Sequence, residues 1–267
     1  MNLLNLGCGL RFSAGWTNVD FVSQAPEVMA CNLLKGIPFA DATFDVVYHS
    51  HVLEHFSRED ANGFIKECYR VLKPGGIIRV VVPDLESIIN QYIHWRAKAQ
   101  QGDSTAQANY NWIMLEMYDQ CIRHYSGGEM GKYLTQPHVP NEEFVRSRLG
   151  DYYDIARRQA AEGSSKSIKT LMCKTSWVKK IYDHMTGHLP SFLARYKVGK
   201  FRLGGEPHLW MYDSYSLERP LLQCFFTETR VCSANESKIA NWSAYLLDTD
   251  ADGTVYKKDS LYIEAFK

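Results

Sequence analysis

No apolar run in this 267-residue sequence reaches 18 residues, so no membrane-spanning helix is expected. No Cys-x-x-Cys pair occurs among the seven cysteines, Cys8, Cys31, Cys68, Cys121, Cys173, Cys224 and Cys232. An odd, scattered set argues against zinc ribbons and disulfide frameworks and suits a reducing compartment. No basic, apolar and small-residue leader precedes the first apolar run, so a cytoplasmic location is expected. There is no net charge, because 30 Lys and Arg balance 30 Asp and Glu. That balance speaks against general nucleic-acid binding. No internal repeat and no low-complexity tract is found.

What remains is an ordinary globular composition, 45% apolar and 22% charged. The length allows a sizeable core and suggests one large domain, or one with an insertion. Charge is spread unevenly. Residues 1–90 hold 7 basic and 10 acidic groups, residues 91–205 hold 17 and 10, and residues 206–267 hold 6 and 10. A basic middle between two acidic flanks is a clue to a partner or acceptor rather than to fold.

Elements follow from periodicity. Residues 2–6 read as a buried strand that breaks into the turn Gly7-Cys8-Gly9, where glycine lets backbone approach a ligand. Residues 17–21 and 27–31 read as further strands, and residues 44–50, rich in β-branched and aromatic residues, as a fourth. Ser57 suits a helix N-cap, with Phe64, Ile65, Cys68, Tyr69 and Leu72 as the apolar stripe, and Lys73-Pro74-Gly75-Gly76 as the stop. Residues 77–83 then read as a fifth strand. Residues 85–203 are mostly helical in pattern, after which a helix over 215–224 and strands over 227–232 and 260–266 are predicted. Strands alternating with turns and helices indicate an open, mostly parallel α/β sheet. A helical insertion or lid (87–203) then separates two parts of one core (1–86 and 204–267), since it is too long for a plain connection.

Five blocks occur in order: Leu4-Asn5-Leu6-Gly7-Cys8-Gly9, Gly15-Trp16-Thr17-Asn18-Val19-Asp20, Ile37-Pro38-Phe39 with Phe44-Asp45-Val46-Val47, His51-Val52-Leu53-Glu54-His55, and Arg70-Val71-Leu72-Lys73-Pro74-Gly75-Gly76. Together they resemble the class I S-adenosylmethionine-dependent methyltransferases, and most closely a bacterial group often found with polysaccharide-synthesis enzymes. Pro207-His208-Leu209-Trp210-Met211-Tyr212-Asp213 and the closing 259–265 segment resemble the same group.

The resemblance implies a Rossmann-like fold and S-adenosylmethionine as cofactor. It implies that Asn5, Gly7, Cys8 and Gly9 meet the methionine portion and that Asp20 accepts the ribose hydroxyls, the role of an acidic residue in dinucleotide folds. Asn32 and Leu33 would meet the adenine, while His49, Ser50 and His51 would line the sulfonium. The family's usual acidic residues at the first strand end and beside the adenine are Asn5 and Asn32 here. His51 and His208 are the candidate catalytic residues, since imidazole has a pKa suited to deprotonating a hydroxyl. Tyr212 stands beside His208 as a further acceptor-site candidate. The acceptor implied is a sugar, glycan intermediate or other small molecule, phosphate-bearing if the basic segment (Lys166, Lys169, Lys174, Lys179, Lys180, Arg195, Lys197, Lys200, Arg202) contacts it. That segment also suits peripheral contact with an anionic membrane face, although a solvated lid face is the better explanation of it.

Competing readings are weighed on context. His51-x-x-Glu54-His55 matches an inverted zinc-protease pattern, but that pattern needs a helix and here follows a strand, so no metal is expected. His184 and His188 have metal-pair spacing without a third ligand. Asp248-Thr249-Asp250-Ala251-Asp252-Gly253 resembles a calcium loop, yet its flanks read as strands and Asp-Gly favours a hairpin turn. A nicotinamide-dependent oxidoreductase would use the same glycine turn, but Phe12 occupies the position of the third glycine. A non-catalytic cofactor-binding protein is the remaining alternative, motivated by Asn5 and Asn32.

Overall fold

The computed structural model describes residues 1–158 and 189–267. Seven strands form one sheet: β1 (Leu3–Leu6), β2 (Thr17–Asp20), β3 (Val28–Ala30), β4 (Phe44–Ser50), β5 (Leu72–Pro83), β6 (Thr227–Cys232) and β7 (Ser260–Phe266). Their order is β3-β2-β1-β4-β5-β7-β6. The first five run parallel, and β7 is antiparallel to both β5 and β6. The fold is a Rossmann-like α/β fold. Strand order reverses at β1, which places a topological switch point between β1 and β4, where open α/β sheets bind ligands.

The early crossovers lack helices. Only residues 7–16 join β1 to β2, and amide side chains hold them. Asn5 donates from Nδ2 to the Arg11 carbonyl (3.3 Å) and to Asn18 Oδ1 (3.2 Å). Asn18 in turn donates to the carbonyls of Ser13 (3.2 Å) and Trp16 (3.0 Å). Residues 21–27 link β2 to β3, shorter than an ordinary parallel crossover. The three-residue β3 nevertheless pairs in parallel with β2 at the sheet edge.

Helix α1 (Arg58–Val71) starts on Ser57, whose Oγ accepts the Asp60 N–H at 3.1 Å. The stripe Phe64, Ile65, Cys68 and Val71 is buried against one sheet face, as are Leu217 and Leu221 of the helix Ser214–Gln223. The guanidinium of Arg70 donates to the carbonyls of Phe39 (2.8 Å) and Ile37 (2.9 Å), which docks the Ile37-Pro38-Phe39 block on α1. Strand β5 begins at Leu72, directly after the helix, rather than at Ile77 as the sequence predicts. Leu72 already pairs with Phe44, and the Gly75 N–H donates to the Lys267 carbonyl (2.7 Å). The two glycines therefore carry a strand irregularity, not a stop.

The other face is covered by the segment after β6. Trp16, Tyr48, Trp242 and Tyr245 form an aromatic cluster there, with Trp16 edge-to-face on the other three. Beside it Arg79 is wholly buried, with Nε 2.8 Å from Asp248 Oδ2 and Nη1 2.8 Å from Glu264 Oε1. It also donates to the carbonyls of Ser233 and Glu236 (2.9 Å each), so every part of the guanidinium is used.

The chain divides into two compact units, Met1–Gln91 with His208–Lys267, and Tyr92–Pro207. The second holds the helices Ser104–Ile122, Gly128–Leu134, Glu142–Leu149 and Leu189–Arg202. Within it Asp119 receives the N–H groups of Glu129 (2.8 Å) and Met130 (3.1 Å), and Arg148 pairs with Glu116 in the interior. Lys166 to Lys180 and the His184–His188 pair lie outside the described residues. Among the described residues no helix is long and apolar enough to cross a membrane.

Candidate active site

A cavity of about 240 Å³ opens at the carboxyl ends of β1 and β4, inside the first unit. The glycine turn forms one wall. Gly7 has φ +64°, and its N–H donates to the Val19 carbonyl at 2.7 Å. A Cβ on Gly7 would lie 2.3 Å from Val52 Cγ2, so only glycine fits. Gly9 has φ +54° with open space where a Cβ would stand, and its N–H donates to Asp20 Oδ2 at 2.8 Å. Asp20 Oδ1 accepts the Val22 N–H at 3.3 Å. Burial and the neighbouring Asp20 charge push the Cys8 thiol up to about 11, which keeps it protonated and unreactive.

Of the sequence-predicted residues, Asn5, Gly7, Cys8, Gly9, Ser50 and His51 line this cavity. Asp20, Asn32, Leu33, His49 and His208 are not among its walls. Asn32 caps the 3-10 helix Leu33–Lys35, accepting the Leu34 N–H at 3.0 Å, and Leu33 packs against the core. His49 points to the opposite sheet face, edge-on to Phe64 at 5.1 Å. Both its ring nitrogens are buried without a hydrogen bond, and burial lowers its pKa to about 3.

The other wall comes from residues that sequence reasoning missed. Leu247, Tyr256 and Lys257 reach the cavity from the segment before β7, and Arg11 from the turn after Gly9. The Asp248–Asp259 stretch is a turn: Thr249 bridges Val255, and the Asp250 N–H donates to the Thr254 carbonyl at 2.8 Å. Its acidic groups are engaged, Asp248 by Arg79 and Asp250 by Arg11 (2.9 Å). Lys257 Nζ donates to Ser50 Oγ (3.3 Å) and to the Ser50 carbonyl (3.4 Å). Burial lowers its pKa to about 8, against the opposing pull of Glu54 and Asp248.

His51 sits between these walls with φ +54°, a strained backbone for a side chain with a Cβ. Its Nε2 lies 2.8 Å from Ser260 Oγ and its Nδ1 3.5 Å from Glu54 Oε1. Burial and the Lys257 charge hold the imidazole well below its ordinary range, so it is neutral at pH 7. Glu54 is fully buried and its carboxyl is pushed up to about 7 by desolvation. The Glu54 carbonyl accepts the N–H groups of Leu209 (2.7 Å) and Trp210 (3.2 Å), which draws the 207–212 block onto the loop. His208 thereby stands edge-to-face on His55, ring centroids 4.8 Å apart. Tyr212 is buried and its carbonyl accepts the Leu85 N–H at 2.9 Å.

Residues 4–80 match the methyltransferase domain family. Over 77 residues the chain is 34% identical to the ubiquinone/menaquinone biosynthesis C-methyltransferase of Desulfotalea psychrophila, covering 28% of this chain and 30% of that one. Over 186 residues it is 24% identical to malonyl-[acyl-carrier protein] O-methyltransferase 1 of Coxiella burnetii, covering 66% and 56% respectively. The chain spans only 19% to 56% of the length of the curated relatives it matches. Among solved structures it aligns with an S-adenosylmethionine-dependent methyltransferase from Archaeoglobus fulgidus at 12% identity, covering 100% of this chain and 86% of that one with a TM-score of 0.38. The matched domain thus spans β1 to β5 and contains the glycine turn, Asp20 and the His51–His55 loop.

Proposed function

We propose that this chain is an S-adenosylmethionine-dependent methyltransferase acting on a hydroxyl of a sugar or glycan intermediate. The observation that carries the reading is the cavity at the sheet's switch point, walled by a Gly-x-Gly turn whose second glycine is held by Asp20. The domain match over residues 4–80 supports the reaction class. The hydroxyl acceptor and the link to polysaccharide synthesis rest on the family resemblance alone.

The residues present suit the cofactor. A half-buried turn backbone at Gly9, with open space where a Cβ would stand, suits close approach by the methionine portion. Lys257, with Arg11 that already pairs with Asp250, gives the cavity wall cationic character for its carboxylate. Asp20 retains acceptor capacity for a ribose diol beside the two backbone N–H groups it already holds. Bound, the cofactor supplies an electrophilic methyl on a sulfonium. The enzyme must align a nucleophile with that methyl and exclude water.

His51 is the base we assign. Its ring is neutral and able to take a proton, and its Nε2 pairs with the Ser260 hydroxyl at 2.8 Å, which an acceptor hydroxyl would have to replace. His51 Nε2 would take the proton of the acceptor hydroxyl. Glu54 Oε1 faces the other ring nitrogen, Nδ1, at 3.5 Å without a hydrogen bond. The test is transfer of a labelled methyl from S-adenosylmethionine to pools of nucleotide sugars and lipid-linked glycans. Transfer to a hydroxyl that is lost in His51→Gln, with cofactor binding retained, is expected. Methylation of nitrogen or carbon acceptors alone would overturn the acceptor assignment.

A further inference from the structure

Glu54 is completely buried, yet neither of its carboxylate oxygens accepts a hydrogen bond. A buried carboxyl group in that state is costly unless a proton or a cation neutralises it. One oxygen of Glu54 and one ring nitrogen each of His55 and His208 lie within 4.8 Å of one another. The spacing is imposed by backbone: the Leu209 and Trp210 N–H groups hold the Glu54 carbonyl, so the strip carrying His208 cannot drift from the loop carrying Glu54 and His55.

We propose that Glu54, His55 and His208 form a binding site for a divalent transition metal of the zinc class. Two imidazoles and one carboxylate are a zinc donor set that leaves a coordination position open to water or another oxygen. Donor atoms about 2.0–2.2 Å from a tetrahedral zinc stand roughly 3.4 Å from each other, so small side-chain rotations bring these three into range. His51 adds an outer partner, its Nδ1 lying 3.5 Å from Glu54 Oε1. The motif reading that disfavoured metal assumed that both histidines of His51-x-x-Glu54-His55 must coordinate from one helix. In the folded chain His208, from a distant segment, takes the place of the first histidine. The site adjoins His51, which lines the cavity, and it stands whether or not methyl transfer is the reaction.

The experiment uses the full chain, purified without a histidine tag and stripped with a chelator. Zinc(II) and cobalt(II) are titrated by calorimetry and absorbance, with no cofactor present. About one equivalent is expected, with a cobalt spectrum of nitrogen and oxygen ligands. Glu54→Gln and His208→Asn should each weaken binding at least about tenfold. Circular dichroism checks that each variant is folded, and His55→Asn replaces either one that is not. Stoichiometry below about a tenth of an equivalent overturns the site, as does unchanged affinity in the folded variants. A thiolate-to-cobalt charge-transfer band would place the metal on cysteine and overturn it as well.

Discussion

Replacing His49 by leucine should make the protein less sensitive to acid. His49 lies on β4 in the core, without a hydrogen bond at either ring nitrogen, and keeps a pKa of about 3 where an exposed histidine has 6.5. Between those values the unfolded chain binds a proton that the native chain refuses. Stability due to this residue is therefore intact above about pH 6.5 and falls as the pH drops toward 3. Going from about pH 7.5 to about pH 5, the cost is about 2 kcal/mol, since each pKa unit is worth about 1.4 kcal/mol. Leucine has a similar volume and no polar atoms to bury, so at neutral pH the variant should match or exceed the parent by about 1 kcal/mol. Urea unfolding of both proteins at the two pH values measures this directly. The parent should lose about 2 kcal/mol more than His49→Leu on acidification. Equal losses in the two proteins would refute the claim that the imidazole is buried neutral and unpartnered.

Gly7→Ala should cost about 1–2 kcal/mol from the positive φ alone, and more from overlap with Val52 Cγ2. Adding Val52→Ala should recover only the overlap part, as thermal melts of the single and double variants would show. Arg79→Met leaves Asp248 and Glu264 buried without their cation and should destabilise by about 3–5 kcal/mol. Denaturant unfolding checks this, and a loss below about 1 kcal/mol would mean the network is not closed as described.

Much of the fold was legible because it depends on short-range pattern. An apolar run marked β1, β-branched and aromatic residues marked β4, and Ser57 marked the start of α1. The bounds of β6 and β7 also came from local composition. The start of β5 was not legible, because glycines that normally end an element here bend a strand whose partner, Phe44, is far away in sequence. Asn5 looked like a lost charge. Its paired position opposite Asn18 explains it: an amide can donate to both Asn18 Oδ1 and the Arg11 carbonyl, and a carboxylate cannot. The signal for His49 was present, since strand alternation sets it opposite Tyr48 and Ser50. Lys257 had no local signal, and Ser260 lay in a block whose resemblance named no site role. They reach the site only because the turn after Asp248 folds back over the end of β4.

Calorimetric titration of the full chain with S-adenosylmethionine, its demethylated product and NAD tests the central claim most directly. The account predicts one site that takes both S-adenosylmethionine and its product, at least about tenfold weaker in Asp20→Ala. Binding of NAD with none of S-adenosylmethionine, or affinity for S-adenosylmethionine untouched by Asp20→Ala, would contradict it.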